Sequence, residues 1–200
     1  PYFIPGFPPI GTFGAVIQQK SLPPNRDALF DLGFAGPVAG FIVAMVVTLI
    51  GVQLSELVPI SEVPEDAWFI QVPLLFQFIT TLFPPSGVGE VIQLHPVAFA
   101  GWVGMVITML NLVPVGMFDG GHVARSLVGE KAHRILSYLG IILLVVISYP
   151  MAFLALIFAF RKYPGPLDDV SRPTTLRKLA ALVLVAVFIL SVVPIFPLLG

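Results

Sequence analysis

Phe30-Asp-Leu-Gly-Phe-Ala-Gly-Pro-Val-Ala-Gly-Phe-Ile-Val-Ala-Met-Val-Val-Thr-Leu-Ile-Gly-Val-Gln-Leu54 carries a single charge, Asp31, near its start. A helix crosses the hydrocarbon of a bilayer with about 20 mostly apolar residues, so this stretch is long enough to span. Its Gly36-Pro-Val-Ala-Gly40 segment spaces two small residues four apart, which lets a second helix backbone approach closely. Outward from it, residues 95–115 and 179–199 are uncharged as well. Residues 135–160 are also uncharged, with Pro150 in the middle. They form either one tilted, kinked span or a hairpin turning at Ser148-Tyr149-Pro150.

Charge placement chooses between these. Lysine and arginine concentrate in loops on the cytoplasmic side. The ten basic residues fall in three groups: Lys20 and Arg26; Arg125, Lys131 and Arg134; and Arg161, Lys162, Arg172, Arg177 and Lys178. Residues 55–94 hold none of them, but do hold Glu56, Glu62, Glu65, Asp66 and Glu90, and are expected outside. A hairpin at 135–160 puts all three basic groups inside, whereas a single crossing would expose the most basic loop. Within the outer segment, residues 67–83 are apolar but interrupted by Gln71, Pro73 and Gln77, as in a helix lying in the interface.

Composition agrees with the membrane class. Hydrophobic residues make up 57% of the 200, charged residues 10%, and mean hydropathy is +0.99. Soluble domains carry about 25% charged residues, enough to coat a water-facing surface. A net charge of −1 gives no sign of a nucleic-acid partner. With no cysteine, a disulfide framework, a thiolate metal site and a cysteine nucleophile are all excluded.

Near the N-terminus, Pro1, Pro5, Pro8 and Pro9 oppose a regular helix. Ile10-Gly-Thr-Phe-Gly-Ala-Val-Ile17 follows, rich in strand formers, and ends before Pro23-Pro24. Non-helical backbone at membrane depth persists only where protein or a wet cavity satisfies it. The segment is therefore an interfacial loop or a re-entrant element lining a site. The expected fold is an all-α polytopic membrane protein with a short re-entrant β element near the N-terminus. It forms a single transmembrane domain over 1–200: re-entrant segment 1–25, membrane helices at 30–54, 95–115, 135–160 and 179–199, and outer segment 55–94.

The densest chemical signal is Asn111-Leu-Val-Pro114-Val-Gly-Met-Phe-Asp119-Gly120-Gly121-His122. An uncharged run ends, then presents an asparagine, a proline break, a lone carboxylate and two glycines. An aspartate at membrane depth costs about 2.5–3.5 kcal/mol on insertion scales, so it has a partner or a function. Pro114 and Gly116 interrupt the helix; Gly120 and Gly121 admit a close neighbour. The plainer alternative is that Asp119 caps the helix that follows. His122, one turn on, could share an ion with Asp119 or simply be polar. His95 precedes Pro96 at a span start and suits an interface, while Glu130-Lys-Ala-His133 has the wrong spacing for a paired metal motif.

The string 111–122 resembles the third metal-ligand motif of the site-2 protease family of intramembrane zinc metalloproteases, in which Asp-Gly follows Asn-x-x-Pro on a membrane helix. Gly11-Thr-Phe-Gly-Ala-Val resembles the family's re-entrant strand, Asn25 to Pro37 the start of its next core span, and His95-Pro96 with Ala100-Gly-Trp-Val-Gly104 its archaeal and plastid branch. The resemblance implies Zn2+, with Asp119 as one metal ligand supported by Pro114, Gly120 and Gly121. It also implies Asn111 holding substrate or a developing oxyanion, and Gly11, Thr12, Phe13, Gly14, Ala15 and Val16 binding an unwound transmembrane segment of a protein substrate. The family's other ligands are the histidines of an H-E-x-x-H helix whose glutamate is the general base. These 200 residues contain no such motif. The expectation is a truncated chain, inactive alone, from the plasma membrane of a prokaryote. The competing expectations are a non-catalytic membrane protein of the same fold that binds other membrane segments, and a transporter. Charged residues are nearly absent from the other spans and no inverted repeat is visible, both against a transporter.

Overall fold

Asn25 sets the start of the longest helix. Its side-chain oxygen accepts the Ala28 N–H at 2.9 Å, satisfying one of the amides that a helix start leaves open. Helix α1 then runs Arg26–Gln53, with Pro37 inside it and Asp27 in its first turn, where a carboxylate suits the helix dipole. Leu29, Phe30, Phe41, Ala44, Thr48 and Val52 are buried along one stripe, while Ile42, Val43, Met45, Val46, Leu49 and Ile50 on the other face are exposed. An exposed face this apolar suits lipid rather than water.

The computed structural model describes residues 2–6, 12–16, 21–147, 152–153, 155–157 and 165–193. The described part is mostly helical. Strands β1 (Tyr2–Pro5) and β2 (Thr12–Val16) pair antiparallel, Tyr2 opposite Val16 and Pro5 opposite Thr12, with a bulge between. After α1 come β3 (Glu56–Val58), a 3-10 turn (Ile60–Glu62), α2 (Leu74–Leu82), β4 (Ser86–Gly87) and β5 (Val91–Gln93). Helices α3 (Pro96–Leu112), α4 (Asp119–Ile147) and α5 (Thr175–Ser191) follow.

The expected strand after residue 10 is present as β2; Gly11 lies outside the described residues, as does the turn at 148–150 on which the hairpin depends. The proline-bearing segment before it is β1, an element that the sequence reading missed. The stretch 67–83 is helical only from Leu74, because Pro73 can open a helix but not continue one. Residues 55–94 also hold a small sheet, ordered β4-β3-β5, so the described fold is not wholly helical. Among the described residues α1 alone is both long and apolar enough to cross a membrane; α3 is apolar but has 17 residues.

The chain divides into two compact units, residues 1–38 with 110–185, and residues 39–109 with 186–200. In the second, α1 and α3 run antiparallel at close range. Gly51 meets the Ala98 backbone, Gly101 meets Thr48, and Gly104 lies 3.0 Å from the Ala44 β-carbon if given a β-carbon of its own. Small residues permit this approach where lipid offers no hydrophobic drive between helices. His95 caps α3: its Nδ1 accepts the Val97 N–H at 3.2 Å, and its own N–H donates to Ser55 Oγ at 3.0 Å. The Trp102 indole donates to the Gln71 carbonyl at 2.8 Å.

In the first unit, α4 is two helical segments joined at Gly129, whose φ of 79° belongs to the left-handed region that favours glycine. The loop at 165–174 is tied to the first of these segments and to α1. Its Asp169 accepts from Arg125 at 3.0 and 2.6 Å and from Arg26 at 3.0 Å. At the start of α5, Arg177 reaches Asp31 at 2.7 Å and Asp27 at 3.1 Å.

Candidate functional site

Helix α3 ends where Pro114 cannot supply an amide. The Val115 N–H turns back to the Val113 carbonyl at 2.7 Å, Gly116 adopts a φ of 47°, and the Phe118 N–H closes on the Val115 carbonyl at 3.0 Å. This tight turn delivers the chain to Asp119, the first residue of α4. Gly120 and Gly121 come next because the turn lies directly on them: a β-carbon on Gly120 would strike the Leu112 carbonyl, and one on Gly121 the Gly116 carbonyl.

Asp119 faces the first half of α1. Its backbone carbonyl abuts Gly33, where a β-carbon would also come within 2.8 Å of the His122 β-carbon. Its carboxylate faces Gly36, with Oδ2 3.5 Å from where that residue's β-carbon would be. None of the described residues donates a hydrogen bond to this carboxylate, although it stands in the first turn of α4, where a carboxylate suits the helix dipole. A partly buried carboxylate beside bare helix backbone has its lone pairs available for a cation.

A zinc site needs three or four ligands at about 2.0–2.3 Å. The described residues contain no group of three or more His, Asp or Glu able to hold a metal. His122 and His133 are buried, at 9% and 6% exposure, yet they do not complete such a group. The residues fit one contribution, the Asp119 carboxylate, and not a whole coordination sphere.

Asn111 lies half-buried in the last turn of α3, eight residues before Asp119. Thr12, Phe13, Gly14, Ala15 and Val16 lie in β2, and no described strand other than β1 pairs with it. The structure therefore brings Pro114, Asp119, Gly120 and Gly121 together, and adds Gly36, which the sequence reading used only as a small-residue face, and Gly33, which it did not single out. It also adds Ser137 and Gly140 on the second segment of α4. Ser137 Oγ accepts the Gly116 N–H at 3.1 Å, and Val115 packs where a Gly140 side chain would be.

Beyond the site, Arg26, Arg125 and Arg177 are paired with aspartates. Burial works to raise the pKa of Asp169, but hydrogen bonds from Arg125 and then Arg26, together with their charges, outweigh it and hold the carboxyl below its ordinary 3.8. Hydrogen bonding to Asp31 raises Arg177 above its ordinary value.

Residues 2–155 match the model of peptidase family M50. The chain belongs to that family. The M50 chain is 32% identical, over 98% of its length, to the probable zinc metalloprotease EGY1, chloroplastic, of Oryza sativa subsp. japonica. It is 31% identical over 98% of its length to the protein of the same name in Arabidopsis thaliana. The DDT domain-containing protein PTM of Arabidopsis thaliana is 33% identical over 62% of this chain and 7% of its own length. No solved structure matches. The chain spans about a third of the length of the metalloproteases, 35% and 37% of the two. The M50 match places the chain in the site-2 protease family and makes zinc the cofactor to test against Asp119.

Proposed function

We propose that this chain is the third-ligand and substrate-binding part of an intramembrane zinc metalloprotease that cleaves transmembrane segments of other membrane proteins. The observation that carries this reading is the Asp119 carboxylate, presented by the Asn111-x-x-Pro114 turn beside Gly36 with no hydrogen bond from the described residues. When bound, zinc supplies a water whose pKa is brought to about 7, and so a nucleophile at neutral pH. The chain's own residues do the rest. Asp119 holds one position on the metal, and the turn fixes its direction. Asn111 is the donor for the substrate carbonyl. The edge of β2 that β1 does not cover takes an unwound substrate strand by main-chain pairing. That mode suits the reaction, because a helical substrate hides its scissile carbonyl in its own hydrogen bonds. Two histidine ligands and the general base come, in this reading, from a part of the protein outside these 200 residues. The same reading takes the protein as multi-pass, 135–160 as a hairpin and 55–94 as the outer segment.

The relatives are named chloroplastic, which favours a plastid-type membrane; nothing in the comparisons supports a prokaryotic plasma membrane. A second reading, a non-catalytic membrane protein of this fold, draws on PTM, whose name mentions no protease.

The deciding experiment is Asp119→Ala in the protein isolated from its native membrane, with intact mass measured first. A mass well above 21.5 kDa and loss of both zinc and substrate cleavage in the variant are expected. Undiminished cleavage by Asp119→Ala would overturn the ligand assignment. Absence of zinc and of cleavage in the unaltered protein would favour the second reading.

A further inference from the structure

Ser137 lies 18 residues beyond Asp119 in sequence, on the far side of the Gly129 break, yet it contacts the turn that delivers Asp119. Its Oγ accepts the Gly116 N–H at 3.1 Å and lies 3.5 Å from the Pro114 carbonyl and 3.4 Å from His133 Nε2. The single hydroxyl proton is available to the Pro114 carbonyl, or to His133 Nε2 in the tautomer that leaves that nitrogen without a proton. Ser137 is 7% exposed and His133 6%, so water does not readily replace these bonds. His133, Ser137, Gly140 and Leu144 are all buried and recur at steps of four, three and four, which puts them on one face of the second α4 segment. On that face, Gly140 leaves the space into which Val115 and Val113 pack.

A proline-broken turn has few hydrogen bonds of its own. Here the Gly116 amide, with its left-handed φ, would be an unsatisfied buried donor without Ser137, a loss worth about 1–3 kcal/mol. The first α4 segment cannot serve, because Gly120 and Gly121 already touch the turn with bare backbone.

We propose that Ser137 is a positioning residue: it fixes the 114–116 turn and through it the direction of the Asp119 carboxylate toward the metal. This rests on the reading of Asp119 given above. Outer groups that orient a metal ligand typically change metal affinity 10–100-fold when removed.

The test uses the complete protein in detergent, with Ser137→Ala, Ser137→Thr and Asp119→Ala compared with the unaltered chain. Zinc retained against a competing chelator, kcat and KM separately, and hydrogen exchange of the Gly116 amide are measured. Ser137→Ala is expected to bind zinc at least tenfold more weakly, to lose kcat with KM little changed, and to exchange Gly116 at least tenfold faster. Ser137→Thr, which keeps the hydroxyl, is expected to restore all three. Wild-type zinc affinity and exchange in Ser137→Ala overturn the proposal, as does equal loss in Ser137→Thr. If Ser137→Ala fails to accumulate, Ser137→Cys keeps the volume with a weaker acceptor, and wild-type exchange and zinc affinity there overturn it equally. If the unaltered protein holds no zinc, the metalloprotease reading fails by itself. The Gly116 exchange rate then decides whether Ser137 holds the turn.

Discussion

At Gly33 a β-carbon would run into the Asp119 carbonyl and stand 2.8 Å from the His122 β-carbon, whereas at Gly36 the same atom would make an ordinary contact of 3.5 Å with the Asp119 carboxylate. The two glycines are three residues apart on one helix, yet they predict different outcomes. Gly33→Ala must push α1 and the start of α4 apart, at a cost of about 1–3 kcal/mol typical of overpacking, and is expected to weaken zinc binding as well. Gly36→Ala is expected to keep near wild-type stability. Thermal unfolding in detergent together with zinc content distinguishes them, and equal behaviour of the two variants would contradict the geometry. Asp119 stood out in the sequence as a lone carboxylate at the end of an uncharged run. Which small residue it meets was not, since that depends on the register of α1 against α4. Ser137 carried no signal either: a serine in an apolar run is ordinary until the turn it supports is seen.

The first segment of α4, the loop at 165–174 and the starts of α1 and α5 are joined by ion pairs that the sequence presented only as basic groups. Arg26, Arg125 and Arg177 were read for their sidedness, and their aspartate partners lie too far away in sequence to be noticed. The Arg125 side chain is 3% exposed and its partner Asp169 35%, so Asp169→Asn leaves a buried cation short of its counter-charge. A loss of about 1–3 kcal/mol is expected, discounted for the exposure of the aspartate. Because the folded protein holds the Asp169 carboxyl below its ordinary 3.8, its contribution is complete above that value. It is lost as pH falls through the lower, folded pKa. Unfolding temperatures followed from pH 6 down to 3 should therefore drop more for the unaltered chain than for Asp169→Asn; parallel curves would show that the pairing does not stabilise. Strand β2 was anticipated from its β-branched and glycine content, while its partner β1 was hidden by prolines. Proline at Val16 is expected to lower turnover without releasing zinc, since it removes a backbone donor from the strand; normal cleavage would count against pairing with substrate.

For the whole molecule, composition was enough to give the membrane class. A chain with 10% charged residues and an α1 apolar on all faces has too little polar surface for water. Membranes washed in alkaline carbonate are expected to retain the protein and detergent to release it; recovery in the wash would contradict the assignment. The number of crossings was less legible, because short apolar helices serve equally as spans and as buried elements, and periodicity does not separate them. No H-E-x-x-H occurs in these residues, so the sequence offered no second set of metal ligands to read.

Helix α1 also works as a ruler. Asp31 engages Arg177, and five residues further along the same axis Gly36 faces the Asp119 carboxylate. At 1.5 Å per residue the carboxylate stands about 7.5 Å from the level of that charged pair. Charged pairs settle where headgroups and water meet, and the hydrocarbon is about 30 Å thick. On the proposed reading of Asp119 as a metal ligand, the metal would stand a short way in from one surface, not at the midplane, and a substrate helix would be opened near its end, where the fewest internal hydrogen bonds have to be given up.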